Sequence, residues 1–144
     1  MSVKKAVFAR LTAITAITDL VGSSPKRVFP RQRPQGTNGR APCIVFRVIS
    51  EQDVYSNDGA TGAVESRVEV QCIGATSDEA DSLAKQVAKP SKDGGPLSGF
   101  SGTAGGVTIQ HAFIDGGADD LEPLPGGADG DPVATLDFMI MWER

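Results

Sequence analysis

The sequence predicts an α+β fold: a mostly antiparallel sheet of four to five strands, two helices packed on one face, and long polar loops between the elements. Three observations carry this. The stretch Ser66 to Val87 (SRVEVQCIGATSDEADSLAKQV) reads as a buried strand turning directly into an amphipathic helix. Three further runs, Cys43–Ser50, Val107–Ile114 and Val133–Trp142, carry strand patterns. The first twenty or so residues repeat their apolar positions at helical spacing.

Taken in order, residues Val3 to Val21 predict one helix. Val3, Val7, Leu11, Ile14 and Val21 follow a stripe that Ala6, Ile17 and Leu20 widen. Thr12, Thr15 and Thr18 are poor helix formers, so packing must hold it. Gly22 is placed to cap its end, and Pro25 prevents continuation. A short extended piece, Arg27 to Pro30, leads into a polar, basic loop from Arg31 to Pro42.

The Cys43–Ser50 run (CIVFRVIS) is apolar on both faces, as a strand inside a sheet or covered on both sides would be. Glu51 to Ala63, with Asn57-Asp58-Gly59 and Gly62, predicts a hairpin-like excursion into the next strand. There Val68, Val70 and Cys72 share one face, and Arg67, Glu69 and Gln71 the other. Thr76 stands as the cap of the following helix, with Glu79 at capping-box spacing. Ala80, Leu83, Ala84 and Val87 form its apolar stripe. Its acidic first turns and basic last turn suit the helix dipole.

Pro90 to Gly106 is rich in Gly, Pro and Ser and predicts a long mobile loop, with Phe100 the one residue able to pin it. The Val107–Ile114 strand then leads to a further loop, Asp115 to Pro132, acidic where the Arg31–Pro42 loop is basic. The last strand alternates Leu136, Phe138, Ile140 and Trp142 against Asp137, Met139 and Met141.

With 144 residues the chain predicts a single domain over 1–144. A formal net charge of −4 argues against a general nucleic-acid binder, in which a basic stripe is required. The two cysteines, Cys43 and Cys72, lie in apolar strand patterns and read as core thiols rather than a disulfide framework. No apolar run approaches a membrane span, so no membrane partner is implied. The N-terminus starts basic with an apolar centre. Arg10 and Asp19 interrupt it and its spacing is helical, so it reads as structure rather than a signal peptide, with reducing cytosol as the default compartment.

Catalytic chemistry finds no support. His111 is the only histidine and sits inside a strand pattern, and neither cysteine lies in a nucleophile motif. Asp115, Asp119 and Asp120 do not match a calcium-loop spacing, which leaves at most a weak ion site in that loop. The pairs Gly94-Gly95 and Gly105-Gly106 lack the Lys-Ser/Thr ending of a phosphate loop. The chain therefore reads as a non-enzyme with no cofactor and no metal.

The landmarks together resemble the tail completion, or tail terminator, proteins of long-tailed bacteriophages. The pieces are Asp19-Leu20-Val21-Gly22, then Arg27-Val28-Phe29-Pro30, then Ala41-Pro42-Cys43-Ile44-Val45-Phe46. The Arg67-to-Cys72 strand with the Asp78-Glu79-Ala80-Asp81 helix follows, and Leu136-Asp137-Phe138-Met139-Ile140-Met141-Trp142 closes the chain. The resemblance covers nearly the whole chain in order, except the two long loops. It implies a virion structural protein that forms a ring, usually six-fold, on the head-proximal end of the tail tube. Such a ring stops tube polymerisation and joins the tail to the head connector. Its implied partners are further copies of itself, the tail tube protein and the head connector or stopper protein, with assembly in the host cytoplasm. Two alternatives remain: another neck component, such as a head-completion or stopper protein, and a stand-alone ligand-binding α+β domain.

In that setting the charged stretches become candidate docking surfaces. Lys26, Arg27, Arg31, Arg33 and Arg40, with Tyr55, form a candidate partner-docking set. Asp115, Asp119, Asp120, Glu122, Asp129 and Asp131 form a candidate acidic interface or lumen lining, past which DNA travels without specific binding.

Overall fold

Ile44, Phe46, Val64, Val68, Val70, Phe138, Ile140 and Trp142 come from three strands but bury into one cluster with Val3, Val7, Leu11, Leu83 and Val87 from helices. That cluster is the core of a computed structural model, which describes residues 2–22, 27–30, 42–56, 59–121 and 132–143. The elements in order are α1 (Val3–Ala13), α2 (Thr15–Val21), β1 (Val28–Pro30), β2 (Cys43–Ser56), β3 (Gly59–Ile73), α3 (Ser77–Ala88), β4 (Gly102–Ala104), β5 (Val107–Leu121) and β6 (Pro132–Glu143). The strands form one sheet in the order β1-β2-β3-β6-β5-β4. All neighbours are antiparallel except β1, which runs parallel to β2.

The α+β class is as the sequence predicts, but its details are corrected. Among the described residues the sheet is mostly antiparallel as expected, but it has six strands rather than four to five, one parallel pair makes it mixed, and there are three helices rather than two. β1 is the expected short extended piece at Arg27–Pro30, and the added strand is the edge piece β4, too brief to show a period. The extra helix arises because Val3–Val21 is not continuous: Ile14 adopts an extended conformation between α1 and α2. Around that break Thr12 donates its hydroxyl to the Phe8 carbonyl at 2.8 Å, and Thr18 donates to the Thr15 carbonyl at 3.2 Å. Such back-bonding competes with the helical ladder and bends it. The Ile14 carbonyl then accepts from the Ile17 and Thr18 amides and starts α2.

The helix after β3 forms as its sequence dictates. Thr76 Oγ1 accepts from the Glu79 amide at 3.2 Å, and the Glu79 carboxylate accepts from the Ala75 amide at 3.0 Å. The reciprocal bond thus lands one residue earlier than in the usual capping box. Ala80, Leu83 and Val87 bury its inner face against β3 and β6. Gly74 permits the tight strand-to-helix turn, since a Cβ there would lie 2.4 Å from the Ala80 nitrogen.

Of the two loops expected from composition, the first is largely structured and the second begins as strand. Pro90–Gly106 contains a 3-10 turn at Ser91–Asp93, a fully buried Leu97 and strand β4. The first seven residues of the expected acidic loop, Asp115 to Leu121, instead continue β5, paired with β6 down to Pro132. Helix α1 touches both edge strands, β1 and β4, so the sheet curls around the helices. The contact at the β4 side is close: a Cβ on Gly105 would sit 2.6 Å from the Lys5 carbonyl oxygen.

Candidate assembly surfaces

Strand alternation gives the sheet two unlike faces. The face carrying Val64, Val68, Val70 and Cys72 packs on the helices. On the other lie Glu65, Arg67, Glu69 and Gln71 of β3, with Asp137, Met139 and Met141 of β6 beside them in register. At the end of the sheet where β2 begins, this second face holds its own small buried cluster of Cys43, Val45, Ile73 and Val133, with Phe29 against it. The apolar residues on both faces of the first half of the Cys43 strand are therefore buried, while Ile49 further along stays exposed.

Further along, that face is polar and laced with charge pairs. Arg67 reaches Asp137 at 3.5 Å and also pairs with Asp115 on β5, so one guanidinium ties three adjacent strands. Arg47 pairs with Glu69 at 3.3 Å, and Gln71 donates to the same carboxylate at 2.9 Å. Gln110 donates to Glu143 at 2.8 Å. Groups this exposed contribute about 0–1 kcal/mol per pair, so their effect is on surface charge and strand register more than on stability. Among the described residues three large apolar side chains remain open at the sheet: Tyr55 at 68%, Ile49 at 47% and Phe113 at 42% exposure.

The residues singled out from sequence fall in different places. Tyr55 lies near the end of the β2–β3 hairpin, opposite Ala60. Arg27 is only 8% exposed, and its Nε donates to the Pro42 carbonyl at 2.9 Å, an internal strut between β1 and the start of β2. Asp115 sits on β5 in the Arg67 clasp. Asp119 and Asp120 belong to the same strand by backbone pairing, opposite Ala134 and Val133. Lys26, Arg31, Arg33, Arg40, Glu122, Asp129 and Asp131 lie outside the described residues. The Arg67 clasp itself escaped sequence reasoning. Its one local trace is Arg67 and Glu69 on the outward face of an otherwise buried strand.

Among the described residues no group of three or more His, Cys, Asp or Glu is arranged to hold a metal ion. Both cysteines are buried thiols, and burial, reinforced by the field of Cys43, pushes the Cys72 thiol well above its ordinary range. A thiol held protonated in the core is a packing group, not a nucleophile. His111 is exposed on β5 with its ring 5.1 Å from that of Phe113. No helix among the described residues is long and apolar enough to cross a membrane.

The described residues thus form a curled sheet backed by helices, with charge pairs and open apolar side chains on its opposite face. The comparisons with known proteins give it a family. The model of the tail completion protein gp17 family matches residues 5–95, well over half the chain, and the chain belongs to that family. It is a structural component of a bacteriophage virion, and the family is not one of enzymes. A chain in the solved structure described as the virion of a native gene transfer agent particle shares the fold. The TM-score is 0.61 at 18% identity, over 96% of this chain and 92% of that one. No curated protein sequence matches.

Proposed function

We propose that the protein forms a closed ring, six-fold by the family resemblance, at the head-proximal end of the tail tube, where it ends tube polymerisation and joins the tail to the head connector. The observation that carries this reading is the family match over 5–95, which spans the helices, β1 to β3 and the long hairpin. The likeness in fold to a virion chain extends over nearly the whole length and supports the same reading. In mechanism this is a binding problem. One rim of the ring copies the surface that the last tube ring offers, and the other refuses further tube subunits and accepts the neck. Tyr55 at the hairpin and the basic residues Lys26, Arg31, Arg33 and Arg40 are the proposed docking groups. The acidic residues from Asp115 to Asp131 face an interface or the lumen, where negative charge keeps passing DNA from adhering. The subunits assemble in the host cytoplasm and end in the neck of the virion.

Deleting the gene in its parent phage and imaging the lysate tests this. The expected result is headless tails whose tubes overrun the normal length. Tubes of normal length lacking heads would place the protein on the head side of the neck instead. Tubes of normal length with heads attached would remove it from tail completion altogether.

A further inference from the structure

Among the described residues, β1 covers the outer edge of β2 only at Ile44, Val45 and Phe46. On the opposite side of the sheet, β4 covers the outer edge of β5 only at Val107, Thr108 and Ile109. Beyond these strips Ser50, Glu51 and Gln52 on β2 are exposed, as are His111 and Phe113 on β5. Irregularities bracket both windows: register shifts fall at Val48/Ser50 and Asp53/Tyr55 on β2, and at Ile109/His111 and Ile114/Gly116 on β5.

The two windows also lie at the same height. Ser50 pairs with Arg67, Arg67 with Met139, and Met139 with Phe113. Glu51 connects through Ser66 and Ile140 to Ala112, and Gln52 through Glu65 and Met141 to His111. Three antiparallel steps separate β2 from β5, so these two strands run in opposite directions.

The geometry points to these windows as partners for one another between copies of this chain, β5 of one subunit against β2 of the next. This rests on the ring reading and names its seam. A rotation about an axis along the strands preserves their direction, so β5 would meet the neighbouring β2 antiparallel, with Phe113 beside Ser50 of the partner subunit. Charge agrees with that alignment. Arg47 is level with Gly116 through Glu69 and Asp137, which sets its positive charge next to the Asp115 carboxylate across the seam. Ile49 and Phe113, two of the exposed apolar side chains, flank the same contact. The bracketing bulges have a role as well. They twist either edge beyond the windows and so discourage unrelated strands, which an unbroken open edge would invite. A head-to-tail contact of this kind closes into a ring if the rotation closes and otherwise runs on as a filament.

Cross-linking in the full-length chain tests the seam. Directly opposed antiparallel residues place their Cβ atoms about 4.5–5.5 Å apart, near enough for a disulfide after small adjustment. The native thiols are buried, so background is low. The double variant Ser50→Cys/Phe113→Cys, mildly oxidised, should lose its monomer band on a denaturing gel to a ladder ending at the ring size. Either single variant should stay monomeric on that gel. Gln52→Cys/His111→Cys probes the same seam on another row and serves if the first pair disturbs folding. A ring seen by native mass spectrometry while neither pair cross-links overturns the seam and leaves the ring standing. Cross-linked open chains without a ring support the seam and sink ring closure. No self-association at concentrations used for assembly overturns both.

Discussion

Trp142 Nε1 donates to Ser66 Oγ at 2.8 Å inside the core, and the Ser66 hydroxyl in turn donates to Glu51 at 3.3 Å. Ser66 is a fully buried polar residue on the helix-packed face, and the only tryptophan in the sequence depends on it. Removing one partner strands the other without water, which costs more than the bond contributes. Ser66→Ala should therefore destabilise the fold by about 1–3 kcal/mol and shift the Trp142 emission, both read in a urea titration. Glu51→Gln, at an exposed acceptor, should cost no more than about 1 kcal/mol. An unchanged midpoint for Ser66→Ala would mean that the indole finds another acceptor.

A second prediction concerns the segment after α3. Arg10 lies 4.1 Å above the Phe100 ring, while its Nε donates to the Pro96 carbonyl at 2.8 Å and an Nη donates to Gly95 at 3.3 Å. One planar guanidinium thus fastens α1 to the Gly/Pro-rich segment. Burial pulls its pKa below the ordinary arginine value, yet arginine remains charged in proteins, so the clamp should not respond to working pH. Arg10→Ala should cost about 1–2 kcal/mol and raise hydrogen exchange across residues 91–100. Arg10→Lys should restore only part, because an ammonium lacks the flat fork. Unaltered exchange in Arg10→Ala would show that Leu97 alone holds the segment.

That clamp shows where sequence reading reached its limit. The β3–α3 unit was legible because its cap, stripe and charges lie within twenty residues of one another. In the next segment Phe100 does help to pin the chain, but it is not the one residue that does: Leu97 is fully buried while Phe100 is half-buried, and the residue Phe100 meets lies far away in sequence. Arg10 is 85 and 86 residues from the carbonyls it binds, and the burial of Leu97 depends on the same distant packing. Likewise Asp115 to Leu121 reads as an acidic loop by composition, while the pairing with β6 makes it strand. The Arg67 clasp joins β3 to residues 48 and 70 positions away. Local pattern had no means of finding either one. The break at Ile14 is a nearer miss, since the threonines that weaken the helix were visible and only their effect was underestimated.

The Cys72 thiol makes alkaline stability a third test. Its folded pKa is raised by burial first and by the nearby Cys43 second, from an ordinary value of about 9. Below that value the folded and unfolded chains both hold the proton, so the contribution is fully present. Above it the unfolded thiol ionises while the folded one does not, so the unfolded state binds fewer protons and stability falls as pH rises. The loss should approach about 1.4 kcal/mol per pH unit at most for this one group. Cys72→Ala should remove that part of the slope between roughly pH 9 and 11, whatever its own packing cost. Equal slopes in the two proteins would show that the native thiol ionises in place. A maleimide should likewise label Cys72 only on unfolding.

The last prediction separates docking from folding in the basic stretch. Arg31, Arg33 and Arg40 stand in a segment of sequence with no acidic residue between Lys26 and Arg47. Arg27 is excluded from the test because its side chain already braces Pro42. If the others meet an acidic neighbour in the neck or tube, reversing their sign converts attraction into repulsion at every equivalent position of a ring. The effect then falls on association rate and orientation more than on the subunit. Arg31→Glu/Arg33→Glu should therefore change folding stability by no more than about 0.5 kcal/mol per site, as surface substitutions do. The same variant should lower head attachment several-fold in a complementation assay of the deleted phage. Raised salt should weaken the wild-type junction and narrow the gap between the two proteins, since screening at about 0.15 M confines exposed charges to roughly 8 Å. A double variant that joins tails to heads as well as wild type at low salt would show that this stretch is solvated surface. Docking would then have to be sought at Tyr55, whose ring is exposed near the end of the β2–β3 hairpin.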